Sequence, residues 1–311
     1  MSMAGPEVTV AVVVKDRKDL MARCLDAIDA QEGAEFDILV VDNGSTDGTF
    51  EYLVDRAASA TRPMTVIQQL GSLGRVRNAA LRHSRGRIIA FTDSDCVPAP
   101  AWLRSGLAGF ADGVAVVQGR TVPARPAGSF EATINISSFS HRYETCNIFY
   151  DRAALTEVGG FGEDMPQIGE DMVAGWRIRR SGWSAEWADD AVVTHDVTYP
   201  PIRWWVKRGW RYECWPRLMR EFPEARATML YRGFLLNRRQ IAVMAALGGI
   251  GVAASTLDPR PLAAAAPLLW RWRPMPSRGR TVRNSVCALA FDAATFAGLV
   301  RGSITNRTIV L

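Results

Sequence analysis

The sequence predicts an α/β protein, a mainly parallel mixed sheet flanked by helices, followed by a helical C-terminal region. Three observations predict it. Apolar, β-branched runs alternate with helix-period segments over the first 92 residues. Clusters of Asp, Asn, Ser and Gly close two of those runs, at 42–49 and 93–95. The charge then reverses sign near residue 200. Strand–helix alternation builds βαβ units and a parallel sheet, and such sheets bind ligands outside the carboxyl ends of their strands.

Each element follows from its residues. Residues 8–14, VTVAVVV, form the continuous run of a strand buried on both faces. Residues 16–30 read as a helix with Leu20, Cys24, Ala27 and Ile28 on one face. Residues 36–41 are a second strand, closed by the turn DNGSTDGT at 42–49 and followed by a helix near 50–58. Residues 64–69 are a third strand, 73–84 a helix and 87–92 a fourth strand. The pattern then loosens. It gives a helix at 98–110, a strand at 114–118, a loop at 120–129 with two Pro and one Gly, and a strand at 146–150. A Gly-Gly-Phe-Gly turn follows at 159–162, then a helix opening at Gly169-Glu170-Asp171, and short strands at 183–187 and 191–194.

Composition bounds the function. At 311 residues, 48% hydrophobic and 22% charged, the chain suits one α/β domain with an appendage, or two domains. Residues 1–199 carry 19 basic and 27 acidic side chains, a net −8; residues 200–311 carry 18 and five, a net +13, with six of the ten tryptophans. The boundary is drawn there, between a catalytic domain at 1–199 and a helical region at 200–311. Basic charge with Trp suits an anionic membrane surface or nucleic acid, and the expectation is the membrane. Residues 241–257 are uncharged and largely apolar, and 262–270 and 286–300 are apolar again; 17 residues is at the short limit for a span, which needs about 20. The five cysteines are odd in number and form no CxxC pair, as in a reduced, cytosolic-side protein. Residues 1–7 carry no basic-then-apolar leader.

The most informative stretch is Arg87-Ile88-Ile89-Ala90-Phe91-Thr92-Asp93-Ser94-Asp95. At a strand end, positions i and i+2 share a face, and two carboxylates aimed at one point repel unless a cation lies between them. Mg²⁺ is usually held by one or two carboxylates together with substrate phosphates. The stretch therefore reads as a holder for a metal–diphosphate.

Taken in order, the DNGSTDGT turn, Gly74-Arg75-Val76-Arg77-Asn78, Asp93-Ser94-Asp95, Glu170-Asp171 and His195 resemble glycosyltransferase family 2, over roughly residues 8–200. The resemblance implies the GT-A fold, with a donor-binding part at about 1–97 and an acceptor-binding part at about 98–199. It implies inverting transfer of a sugar from a UDP-, GDP- or dTDP-sugar to an acceptor hydroxyl. Asp42 would meet the donor base and Arg77 the base and diphosphate. Asp95 would hold Mn²⁺ or Mg²⁺, Asp93 the ribose or the metal, and His195 would be a further metal ligand. Asp171 would be the general base, worth about 10²–10⁴-fold, with Glu170 an orienting neighbour or an acceptor contact; Glu163 and Asp164, after the Gly-Gly-Phe turn, would be acceptor-side or structural.

Two departures matter. Relatives often place an aromatic on the donor base just after the first strand, where this chain has Val14 and Lys15; both are assigned to the donor site with the base left open. The QxxRW sequence of processive relatives is absent, so a single addition to a cell-envelope or lipid-linked glycan is expected, at the cytoplasmic side of a membrane. Two other classes compete. A nucleotidyltransferase would carry a Gly-rich phosphate loop after the first strand, where this chain has Lys15-Asp16-Arg17-Lys18-Asp19. A non-catalytic membrane-docking protein would leave the acidic strand ends unexplained.

Overall fold

In the computed structural model, residues 6–165, 168–273 and 281–311 are described. They divide into two compact units, one of Met1–Pro126 with Thr133–Val197 and one of Ala127–Ala132 with Thr198–Leu311. The leader reading concerns residues 1–7, of which 1–5 lie outside the described residues.

The first unit holds an eight-stranded sheet. Its strands are β1 (Val8–Val14), β2 (Phe36–Asp42), β3 (Met64–Gln68), β4 (Ile88–Asp93), β5 (Cys96–Pro98), β6 (Val114–Pro123), β7 (Asn147–Asp151) and β8 (Ser184–His195), in the order β3-β2-β1-β4-β7-β6-β8-β5. The pairs β3–β2, β2–β1, β1–β4 and β6–β8 are parallel; β4–β7, β7–β6 and β8–β5 are antiparallel. The helices are α1 (Lys18–Asp29), α2 (Thr49–Ala58), α3 (Leu73–His83), α4 (Trp102–Leu107), α5 (Arg152–Glu157) and α6 (Glu170–Arg180). β1, flanked by β2 and β4, carries the core, with Val8, Val10 and Val12 fully buried against Ile38, Val40, Ile88 and Ala90.

Several elements differ from expectation. The buried face of α1 is Met21, Cys24, Leu25 and Ile28, one step round the helix from the predicted stripe. The two short strands expected at 183–187 and 191–194 are one strand, β8, because its partner β6 runs on to Pro123 through part of the expected loop. The ladder between them shifts register between Gly119 and Arg120. There the Asn147 side-chain amide donates to the carbonyls of Arg120 and Ala191, both at 2.8 Å, and its Oδ1 accepts from Trp102 Nε1 at 2.8 Å. A single buried amide thereby supplies donors for two carbonyls at the irregularity. α4 is shorter than the 98–110 helix, because residues 96–98 pair with β8 instead.

The second unit is helical: α7 (Ile202–Trp210), α8 (Trp215–Glu221), α9 (Arg226–Met229), α10 (Arg239–Thr256), α11 (Ala266–Trp272) and α12 (Val282–Asn306). Among the described residues, α12 is the one helix long and apolar enough to cross a bilayer, by length and composition. It packs inside this unit. Gly209 of α7 lies so close that a Cβ would stand 2.7 Å from the carbonyl oxygen of Phe291. Asp292, buried on α12, accepts from Trp272 Nε1 at 3.1 Å.

Candidate active site

Three strand ends meet at one edge of the sheet. Register pairs Val14 with Asp42 and Val13 with Asp93, so the carboxyl ends of β1, β2 and β4 lie level. That edge is where an open α/β sheet takes its ligand.

Asp42 is fully buried. Its Oδ2 accepts from the N–H groups of Gly44 (2.9 Å) and Ser45 (3.0 Å) and from Gln68 Nε2 (3.0 Å). This is an Asx-type turn lock. Spare capacity for a donor base lies only on Oδ1, which takes one 3.3 Å contact from Ser45. Val14 is also buried, its carbonyl accepting from Asn43 N–H at 2.9 Å, so its part is in the ladder and not in a side-chain contact. Lys15 is exposed at the rim. The next residue, Asp16, has φ +51° and accepts from Thr46 N–H at 2.7 Å, which laces the β1 exit loop to the β2 turn.

Arg77 departs most from expectation. Its guanidinium is buried between carboxylates. Nη1 pairs with Glu170 Oε1 and Nη2 lies 3.9 Å from Asp93 Oδ1. Burial would lower its proton affinity; Glu170, Asp93 and Asp171 outweigh that and hold it charged. These ion pairs make Arg77 a hub linking the β4 end to the start of α6.

Asp95 and His195 come together as the resemblance implies. Antiparallel pairing sets Cys96 opposite His195, and Asp196 N–H donates to the Asp95 carbonyl at 2.9 Å. His195 Nε2 lies 3.6 Å from Asp95 Oδ1. Nδ1 of the same ring lies 2.8 Å from the backbone oxygen of Asp196. A carbonyl only accepts, so Nδ1 carries a proton and Nε2 is the ring atom turned towards Asp95. That donor set, one carboxylate and one imidazole nitrogen side by side, fits a divalent cation. Cys96 completes the cluster of potential ligand atoms, all within 4.8 Å of one another, in place of Asp93. Cys96 is fully buried, and burial, then the nearby Asp93, pushes its thiol up, as befits a core side chain. All five cysteines are free and buried.

Glu170 and Asp171 open α6 behind Gly169, which has φ +99° and reaches a left-handed cap that side chains avoid. Asp171 is half-buried and its Oδ1 accepts from Met172 N–H at 2.8 Å. Burial, then the Glu170 carboxylate, raises its carboxyl well above the usual range, while Arg77 opposes the rise. A carboxylate with raised proton affinity is suited to accept a proton from a hydroxyl. Glu170 is buried, and its Oε2 has no hydrogen-bond partner among the described residues.

Glu163 does not join these carboxylates. It is exposed, and its Oε1 accepts from Asn78 Nδ2 at 3.0 Å, with Arg75 and Arg82 at 3.8 and 3.9 Å. Its contacts are with α3. Asp164 is exposed in the same turn. The Gly-Gly-Phe turn serves the same docking. The Asn78 amide donates to Phe161 O at 3.0 Å and accepts from Phe161 N–H at 2.8 Å. A Cβ on Gly160 would stand 2.4 Å from Asn78 Oδ1, and one on Gly74 would stand 2.3 Å from Gly162 O. Sequence reasoning passed over Asn78 and Glu144. Glu144 lies close enough to raise Asp171 and accepts from Gln118 Nε2 at 2.9 Å. The available signal for Asn78 was the spacing of Gly74, Arg77, Asn78 and Leu81 at i, i+3, i+4 and i+7, a helix face with polar residues where apolar ones are usual.

A mixed sheet of this order, with carboxylates on its carboxyl edge and a histidine brought beside them, has the architecture of the GT-A fold. The model of glycosyl transferase family 2 matches residues 9–160, just under half of the chain, which thus carries a glycosyl transferase family 2 domain. It is 29% identical over 211 residues to the glycosyltransferase AglE of Haloferax volcanii, covering 63% of this chain and 68% of that protein. To the pre-mycofactocin glycosyltransferase of Mycobacterium tuberculosis it is 27% identical over 227 residues, covering 66% of this chain but 46% of that protein, so it spans about half that relative's length. In structure it is similar to the mannosyltransferase PcManGT of Pyrobaculum calidifontis, solved with GDP-Man and Mn²⁺. That match has TM-score 0.57 and 20% identity and covers 97% of this chain and 87% of the other.

Proposed function

We propose that this chain is an inverting, metal-dependent glycosyltransferase that adds a single sugar to a cell-envelope or lipid-linked glycan at the cytoplasmic face of a membrane. The observation that carries the reading is the Arg77 bridge. One guanidinium touches both Asp93 and Glu170, so the acidic strand end and the acidic helix start belong to one site.

Asp171 removes the proton from the acceptor hydroxyl as that oxygen attacks the anomeric carbon. The new C–O bond forms as the bond from carbon to the donor's phosphate oxygen breaks, and the nucleoside diphosphate leaves from the opposite face. One displacement inverts the configuration. Asp95 and His195 would hold Mn²⁺ or Mg²⁺, with Asp93 turned to the donor ribose. A cation held there would supply positive charge against the leaving diphosphate. Glu170, tied to Arg77, orients Asp171. The second unit supports the membrane reading. Ile202, Val206 and Trp210 are exposed at i, i+4 and i+8 on α7, beside Arg203 and Lys207, the pattern of a helix lying in a membrane interface.

The test is release of nucleoside diphosphate from GDP-mannose, UDP-glucose and dTDP-rhamnose with and without Mn²⁺. Metal-dependent release that is lost in Asp171→Asn supports the transferase. Pyrophosphate release from a nucleoside triphosphate would point instead to nucleotidyl transfer.

A further inference from the structure

We propose that Arg77 is a positioning residue for the transfer step: it ties the first turn of α6 to α3 and so sets where the Asp171 carboxylate points. The inference rests on the reading of Asp171 as the base.

The tie to α6 starts on α3. Gly74, Arg77, Asn78 and Leu81 share one face, and the first three engage the segment leading into α6. Gly74 lies against the backbone of Gly162. Asn78 holds Phe161 by both its N–H and its carbonyl. Ser72, the α3 N-cap, donates from Oγ to the Glu163 carbonyl at 2.7 Å. Arg77 then catches Glu170, the first residue of α6. Asp171 follows directly, so whatever fixes Glu170 fixes the turn that carries Asp171.

The alternative task, gripping a diphosphate, requires the guanidinium to face open space. Here its side chain is 8% exposed, and that of its partner Glu170 is 4% exposed. A planar fork held by two carboxylates is a rigid strut. The charges around Asp171 agree with this geometry. Glu170 on α6, Glu144 ahead of β7 and Arg77 on α3 act on it, and Tyr150 on β7 faces it. Arg77 is the cation of that set, so its loss also lets the carboxyl of Asp171 rise further.

The experiment compares R77K, R77M and the neutral pair R77M/E170Q in the full chain. The donor panel above is assayed with Mn²⁺, and hydrogen exchange is followed at the amides of residues 173–176. The double variant removes both buried charges together, so that neither partner is left as an unpaired buried charge. It is expected to lower kcat by about 10²-fold, the scale of a small misplacement of a reacting group, with KM for the donor within about threefold. Exchange at 173–176 should rise by about tenfold or more, while that of the β1 core stays as in the wild type. In R77M the acid limb of the kcat–pH profile should move to higher pH, and in R77K it should stay in place with kcat reduced. Unchanged kcat together with unchanged exchange overturns the proposal. So does a rise in donor KM at constant kcat, which would make Arg77 a donor ligand. If the wild type releases no nucleoside diphosphate from any donor, the transferase reading fails, and the exchange data still decide whether Arg77 holds α6.

Discussion

Asn78 and Phe161 pair through both edges of one side-chain amide: Nδ2 donates to the Phe161 carbonyl and Oδ1 accepts from its N–H. Asn78 is buried on α3, 83 residues away in the chain, so this contact joins the donor-side helix to the turn ahead of α6. Asn78→Ala leaves both backbone groups of Phe161 without a partner inside the protein. Each such group costs about 1–3 kcal/mol. A loss of about 2–5 kcal/mol in denaturant unfolding is therefore expected, together with reduced turnover. Unchanged stability would mean that water or a shifted turn replaces the amide.

Gly74→Ala tests the same joint by sterics. The added Cβ would meet the Gly162 carbonyl oxygen at 2.3 Å, backbone against backbone, with no flexible side chain to yield. Overpacking of this kind costs about 1–3 kcal/mol, although alanine is the better helix former by up to about 1 kcal/mol. Net destabilisation is expected. A stabilised variant would show that α3 and the turn are not in contact in solution.

The sheet was legible because its signals are local. The β-branched run at 8–14 and the Asp-Asn-Gly turn after β2 each announce themselves within a few residues. Asp93, Asp95 and His195 were singled out through the motif order, and Asp95 and His195 do lie side by side. What stayed hidden depends on partners distant in sequence. Nothing near Arg77 indicates that its guanidinium meets Glu170, 93 residues on, and the local crowd of arginines reads as surface charge. Asn147 looks like an ordinary polar residue at a strand start; its importance comes from the register shift between β6 and β8, which no local pattern reveals. Glu163 shows the converse. Its position after the Gly-Gly-Phe turn fits a motif, while its side chain turns to α3.

Asn147→Leu should expose that dependence. The variant keeps volume but removes the donors to the carbonyls of Arg120 and Ala191 and the acceptor for Trp102 Nε1. All three partners would be left unpaired in the core, a loss of about 3 kcal/mol or more. A melting temperature within a degree or two of the wild type would refute this account of the β6–β8 irregularity.

Asp95→Asn and His195→Ala address the cation. Mn²⁺ that binds the folded form raises the melting temperature, and both variants are expected to lose most of that shift. Cys96→Ala should retain it, because its buried thiol is a core side chain. Loss of the Mn²⁺ shift in Cys96→Ala with retention in His195→Ala would reverse the ligand assignment.

Asp171→Asn should separate stability from activity. Burial and the neighbouring Glu170 raise the Asp171 carboxyl well above its unfolded value. Between those two values the folded state binds more protons than the unfolded one, so stability falls as pH rises through that window and stays low above it. Asparagine carries no charge and avoids this cost. The variant should therefore be more stable than the wild type at neutral and alkaline pH, and should lose that advantage below the pKa of a free carboxylate. Its turnover should fall by about 10²–10⁴-fold with donor binding retained. In the wild type, kcat should rise with pH through the same raised carboxyl, on a limb set above that of an ordinary aspartate. A variant less stable at every pH, or a wild-type acid limb near the value of a free carboxylate, would mean that Asp171 is ionised and held by contacts other than those described.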